Sequence, residues 1–134
     1  MVELLVVIAI IGLLSTIVIV SFGSTRNQAR DTTIKANMNQ MRVEAELHYS
    51  NNANYMGANA RADYSAAKTA ANSASPGTLV EGMNVSAYCM STPLAVNTSN
   101  SWCIDSVGNI GESTKVCNTT IFKCNANLAQ RDFC

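Results

Sequence analysis

Between Leu4 and Thr25 the chain reads LLVVIAIIGLLSTIVIVSFGST, without a single charged side chain. A helix rises about 1.5 Å per residue and about 20 apolar residues cross a hydrocarbon core of about 30 Å, so this run is long enough to span a membrane. A helix that is apolar on every side has to be covered, by lipid or by other helices. A secretory signal would show a basic start, a shorter apolar core and a small-residue cleavage site. None is read here, so the run is expected to be retained.

Glu3 stands at the head of this run, and a carboxylate buried there costs several kcal/mol unless a positive partner meets it. The first basic residue is Arg26, more than about 30 Å along a continuous helix, so the partner has to come from another molecule or the lipid headgroup layer. The plainer reading places Glu3 in the membrane interface, favoured by the positive end of the helix dipole.

The segment MVELLVVIAIIGLLSTIVIV resembles the start of mature type IV pilins and pseudopilins, in which a glutamate close to the N-terminus precedes such an Ile/Val/Leu run. The match covers roughly the first 50 residues; beyond them only the general layout agrees. The resemblance implies an α+β subunit, a long N-terminal α-helix packed on a small antiparallel β-sheet head. It also implies that a prepilin peptidase removes a basic leader and methylates the new N-terminus. The subunit then passes from the inner membrane, through its assembly machinery, into an extracellular helical filament of identical copies. The family's glutamate maps onto Glu3 and pairs with a neighbouring subunit's amino terminus. Two departures are visible. The family motif has two further residues, commonly beginning with Phe, ahead of the position of Met1, which places the mature N-terminus upstream. Many pilins carry a proline in the apolar segment, where this chain has Gly12 and Gly23. Glycine costs about 1 kcal/mol in a helix, so loosening is expected near Gly12 or across Ser21 to Ser24 in the assembled state.

From Arg26 to Ser50 the pattern turns amphipathic: Ile34, Met38, Met41, Ala45 and Tyr49 form one stripe, expected to pack against the head's sheet. Arg26, Arg30, Asp31, Lys35, Arg42, Glu44 and Glu46 fall mostly on other faces and read as solvated, structural charges. Division is expected into a long helix over residues 1–50 and a disulfide-stabilised head over residues 51–134. Within the helix, residues 1–24 form the apolar stretch and residues 25–50 the amphipathic one. Within the head a short helix is expected over Ser65 to Ala71, with strands at Thr78–Val80, Val85–Met90, Ser101–Val107 and Val116–Lys123. Asn97–Asn100 and Gly108–Gly111 supply turns.

All five cysteines lie late in the chain and none has the close spacing of a zinc or redox site, so disulfides in an oxidising compartment are the better reading. The basic residues after the apolar run would by themselves put the head in the cytoplasm. The cysteines outweigh them, since the implied leader sets orientation. Short loops favour Cys89 with Cys103 and Cys117 with Cys124, with Cys124–Cys134 the main rival. Cys134 would then be a free or intermolecular thiol. Trp102, beside Cys103, is expected to pack in the core against a disulfide.

The formal net charge is zero, so no bulk field draws nucleic acid as a specific ligand. His48 has no nucleophile near it in sequence and reads as a surface residue near a helix end. Asp105 and Asn109 fall short of a calcium site and read as a turn. The aromatics are scattered. No catalytic residue, metal site or cofactor is therefore expected. Asn84, Asn97 and Asn118 open Asn-x-Ser/Thr triplets that permit glycosylation. The functions left standing are a non-enzymatic filament subunit for adhesion, motility or DNA uptake, a pseudopilin of a type II secretion or competence system, and a single-pass membrane-anchored binding protein.

Overall fold

The computed structural model describes residues 2–117, 119, 120 and 122–124, and for residues 17–21 the backbone alone. Helix α1 runs from Val2 to Asn52, 51 residues, or about 75 Å at the usual rise. A one-turn 3-10 helix, Ala58–Ala60, leads into α2, Ala62–Ala74. Four strands follow: β1 Val80–Met83, β2 Tyr88–Pro93, β3 Ser101–Asp105 and β4 Ile110–Ser113. They form one antiparallel sheet in the order β1-β2-β3-β4. The protein is thus α+β, a long N-terminal helix followed by a four-stranded sheet carrying two disulfides.

Ile34, Met38, Met41 and Ala45 lie fully buried, so the stripe on α1 is the helix side of the core. Its last member departs from the pattern: Tyr49 is 41% exposed and stacks on Tyr55 at 4.5 Å between ring centroids. The stripe also packs more broadly than against the sheet. Tyr64, Ala67 and Ala71, at spacings of three and four on α2, are buried in the same cluster, together with Tyr88, Met90 and Ile104 of the sheet. Two small alanines on that face let the helices approach closely. Helix α2 is longer than the sequence suggested because Ala62 and Ala74 extend an alanine-rich segment that already favours helix.

Strand period two divides the sheet's side chains between its faces. Register pairs Met90 with Ile104 and Thr92 with Trp102 on the helix side, Cys89 with Asp105 and Ser91 with Cys103 on the other. Two expectations fail on this geometry. Trp102 does not pack on a disulfide, because it neighbours Cys103 in sequence and therefore points to the opposite face, against the helix-side core. Cys89 and Cys103 are not bonded to each other. Offset by two positions, they are diagonal neighbours about 7–8 Å apart, beyond the Cβ separation near 3.8 Å that a disulfide takes.

The bonds are instead Cys89–Cys117, with Cα atoms 5.6 Å apart, and Cys103–Cys124, at 5.8 Å. The segment after β4 crosses the outer face of the sheet, and each bond fixes it to one central strand. The expected strand Val116–Lys123 is accordingly absent from its described residues, whose backbone runs as turns and a single bridge at Lys123. The fourth strand is the short Ile110–Ser113, which the turn residues Gly108 and Gly111 masked in the sequence. Gly108, at φ 98°, supplies the left-handed residue of the β3–β4 hairpin. Gly82 on β1 lies beneath the crossing segment: a Cβ there would come within 3.1 Å of the Thr119 Cα. Cys134 lies outside the described residues.

Candidate functional site

The N-terminal half of α1 stands clear of the head. Leu4 is 71% exposed and Phe22 65%, and every large apolar side chain described between them is at least half exposed. Burying one such side chain is worth about 1.5–3 kcal/mol, so the uncovered rod represents tens of kcal/mol of unmet burial. Apolar patches beyond a few hundred Å² on a monomer mark an interface with protein or membrane. Among the described residues no helix is long and apolar enough to cross a membrane. Residues 17–21, the middle of the apolar run, are outside those whose side chains are described.

Two hydroxyls within this rod are satisfied by the rod itself. The Ser15 hydroxyl donates to the Ile11 carbonyl at 2.7 Å and Thr16 to the Leu13 carbonyl at 2.8 Å. Such back-bonding leaves neither hydroxyl in need of water, so these positions can enter an apolar environment at little cost. Glu3 is different. It sits exposed in the first turn, aided there by the helix dipole, and has no cation of its own chain near it among the described residues. The helix is continuous through Gly12 and Gly23 in the single chain, and a Cβ added at either would meet nothing within 4 Å. The expected loosening concerns the assembled state. Within one subunit neither position needs glycine for packing.

Arg26 and Arg30 stand exposed as expected, whereas Asp31, Lys35, Glu44 and Glu46 fix the head to the rod rather than standing solvated. The buried Asp31 carboxylate accepts the backbone N–H groups of Ala95 at 2.5 Å and Val96 at 3.2 Å, tying down the β2–β3 loop. Lys35 pairs with Glu112 of β4 at 2.9 Å and lies 4.7 Å from the centre of the Trp102 ring. The Lys35 hydrogen bond holds the Glu112 carboxyl below its usual range. Buried Glu44 pairs with Arg61 at the start of α2 at 2.9 Å. Glu46 accepts the hydroxyls of Tyr55 at 3.1 Å and Tyr88 at 2.9 Å. Burial first, and then the Glu46 carboxylate, push the Tyr55 phenol up to about 12 and raise that of Tyr88 as well. Tyr64 is raised chiefly by burial, with Glu81 accepting its hydroxyl at 2.8 Å while also pairing with Lys68.

Sequence reasoning missed this network, although Asp31 and Glu44 lie at three residues and one residue from stripe members, close enough to the apolar face to be drawn in. It also took the aromatics as scattered, whereas the fold brings Tyr49, Tyr55 and Tyr88 together, with centroids 4.5 and 4.8 Å apart. His48 is half-buried and its Nε2 lies 2.9 Å from the Met56 carbonyl oxygen, at the end of α1 as expected. Asp105 is the turn-former that the DSVGN reading expected. Its buried carboxylate accepts the backbone N–H of Val107, Asn109 and Cys124 and the Asn109 side-chain amide. Asn84 is half-buried with its side-chain oxygen accepting from Ser86 and Ala87, Asn97 is exposed, and Asn118 lies outside the described residues. Among the described residues no group of three or more His, Cys, Asp or Glu side chains is placed to hold a metal. Two disulfides mark the head as one that folds outside the cytoplasm.

Comparison with protein-family models, with curated proteins and with solved structures finds no match for this chain.

Proposed function

We propose that the protein is a structural, non-enzymatic subunit of a type IV pilus-like filament, polymerising through the apolar half of α1. The observation that carries the reading is the combination on one rod of an uncharged, mostly apolar surface, uncovered at its described side chains, and a single carboxylate at its tip. A plain membrane anchor needs the first and has no use for the second. In the filament, neighbouring rods cover one another and the Glu3 carboxylate meets the amino terminus of an adjacent copy. Before assembly the same rod rests in the inner membrane, where the prepilin peptidase and the assembly machinery act on it. The disulfide-pinned head then faces outward on an extracellular fibre.

Removing one partner of a buried ion pair costs about 3–5 kcal/mol, so Glu3→Gln should abolish most filament while leaving the folded head in the membrane fraction. The experiment expresses the mutant in cells lacking the wild-type copy and weighs membrane-extracted subunit against sheared filament, identified by electron microscopy and mass spectrometry. Normal filament yield from Glu3→Gln would reduce Glu3 to an interfacial residue, whereas absence of filament from the wild-type chain itself would restore the reading of a single-pass anchored binding protein. Short filaments confined to the periplasm would favour a pseudopilin.

A further inference from the structure

Asn84 and Asn97 open the two Asn-x-Ser triplets of the chain, and the fold treats them differently. Asn97 lies at the tip between β2 and β3, where the residues from Val96 to Ser99 are exposed. The tip is held in one conformation. The Asp31 carboxylate accepts the Ala95 and Val96 N–H groups, and the Asn97 carbonyl accepts the Asn100 N–H at 3.0 Å, closing a turn. The Asn97 side-chain oxygen accepts the Ser99 N–H at 3.2 Å. That bond holds Oδ1 against the turn and leaves Nδ2 without a hydrogen-bond partner among the described residues. The Ser99 hydroxyl is likewise unengaged among them.

We propose that Asn97 is an N-glycosylation site, with Nδ2 as the acceptor atom and a saccharide carried on a lipid pyrophosphate as the donor. The inference needs only that the head lie outside the cytoplasm, as its disulfides indicate, and does not rest on the filament reading. An attached glycan is bulky and has to leave the surface, and the enzyme that adds it reads the asparagine amide together with the hydroxyl two residues on. Both groups are open at Asn97. At Asn84 they are closed. That residue is half-buried, and its Oδ1 accepts the N–H groups of Ser86 and Ala87 at 2.8 and 2.6 Å. The Ser86 hydroxyl turns back onto the same oxygen at 3.4 Å, and the Val85 carbonyl between them accepts the Tyr55 N–H at 3.2 Å. Beside Asn97, by contrast, an open groove of about 280 Å³ runs between α1 and the tip, lined in part by Gln28, Thr32, Lys35 and Val96. Its amide, hydroxyl and ammonium groups over an aliphatic side chain suit a first sugar ring. In the transfer Nδ2 bonds to the anomeric carbon while the bond from that carbon to the phosphate oxygen breaks. The lipid pyrophosphate leaves with the electron pair, and the amide proton passes to the transferase's base.

The test is mass spectrometry of the chain extracted from the membranes of its own cells. After reduction, chymotrypsin cutting at Tyr88 and Trp102 places Asn97 in the peptide 89–102, apart from Asn84 and Asn118. That peptide should carry the added mass of a saccharide, located on Asn97 by fragmentation. Ser99→Ala should abolish the added mass, Ser99→Thr should retain it, and Asn84→Gln should leave it unchanged. Ser99→Ala keeps the backbone N–H that Asn97 accepts, so its thermal midpoint should match that of the wild type. An unmodified 89–102 peptide from the wild-type chain would overturn the inference. So would a saccharide that persists in Ser99→Ala, which would assign it to a hydroxyl such as that of Thr98, or one found on Asn84. None of these readouts depends on filament yield, so failure here and failure of the filament reading are distinguishable.

Discussion

Asp105 joins two regions of the head with one side chain. It receives two N–H groups of its own hairpin, the Asn109 amide, and the Cys124 N–H of the segment crossing the sheet. Buried completely and without a counter-ion among the described residues, its charge is balanced by these donors alone. Asp105→Ala should therefore destabilise the head by about 3 kcal/mol, since hydrogen bonds to a charged acceptor are strong and the donors would be left unmet. Thermal unfolding of the detergent-solubilised chain, followed by near-ultraviolet circular dichroism, measures it. The tyrosines give a complementary signature in alkali. Tyr55 is raised from 10.0 to about 12, and Tyr64 and Tyr88 are raised too. The neutral phenol is the form the fold prefers, so its stabilisation is fully present below pH 10 and is lost as pH climbs towards the folded values. Unfolding midpoints should hold steady up to pH 10 and then fall. A midpoint unchanged at pH 12 would contradict the burial of these phenols.

At the scale of elements, the disulfides act between the sheet and the segment after β4, rather than between neighbouring strands. Each joins residues more than twenty positions apart, by 28 and 21 in sequence. Peptide mapping without reduction should recover Cys89 linked to Cys117 and Cys103 linked to Cys124. Replacing the second pair by serine should cost about 3 kcal/mol through the added freedom of the unfolded chain. The crossing segment would then lift from Gly82, and amides of β1 and the described residues of that segment should exchange faster than those of β2 and β3. The helix-side core, which has no disulfide, should keep its protection.

At the scale of the molecule, rod and head have separate physical jobs. The core begins at Asp31 and Ile34, and the described side chains before Asn27 are exposed. Deleting residues 1–25 should thus yield a head with stability within about 0.5 kcal/mol of the full chain, because changes away from packed or paired groups perturb little. Loss of the head's fold on this deletion would show that the rod contributes to the core. The same separation explains why the apolar surface survives on a folded monomer: α1 is held by its second half, where Asp31, Lys35, Glu44 and Glu46 clamp the loops and strands onto it.

Local periodicity made the long helix, its Ile34 to Ala45 stripe, the uncovered apolar run and the isolated Glu3 legible in the sequence, because each depends on residues within a turn or two of one another. The α+β class followed from the same patterns. Pairing register was not legible. Alternation determines that Trp102 and Cys103 point to opposite faces, yet only the folded sheet decides which of them meets the helix. Likewise, loop length by itself favoured Cys89–Cys103, whereas the diagonal offset of β2 and β3 and the path of the chain over the outer face selected Cys89–Cys117 and Cys103–Cys124. Those choices rest on contacts between residues far apart in the chain, which no periodic signal in the sequence encodes.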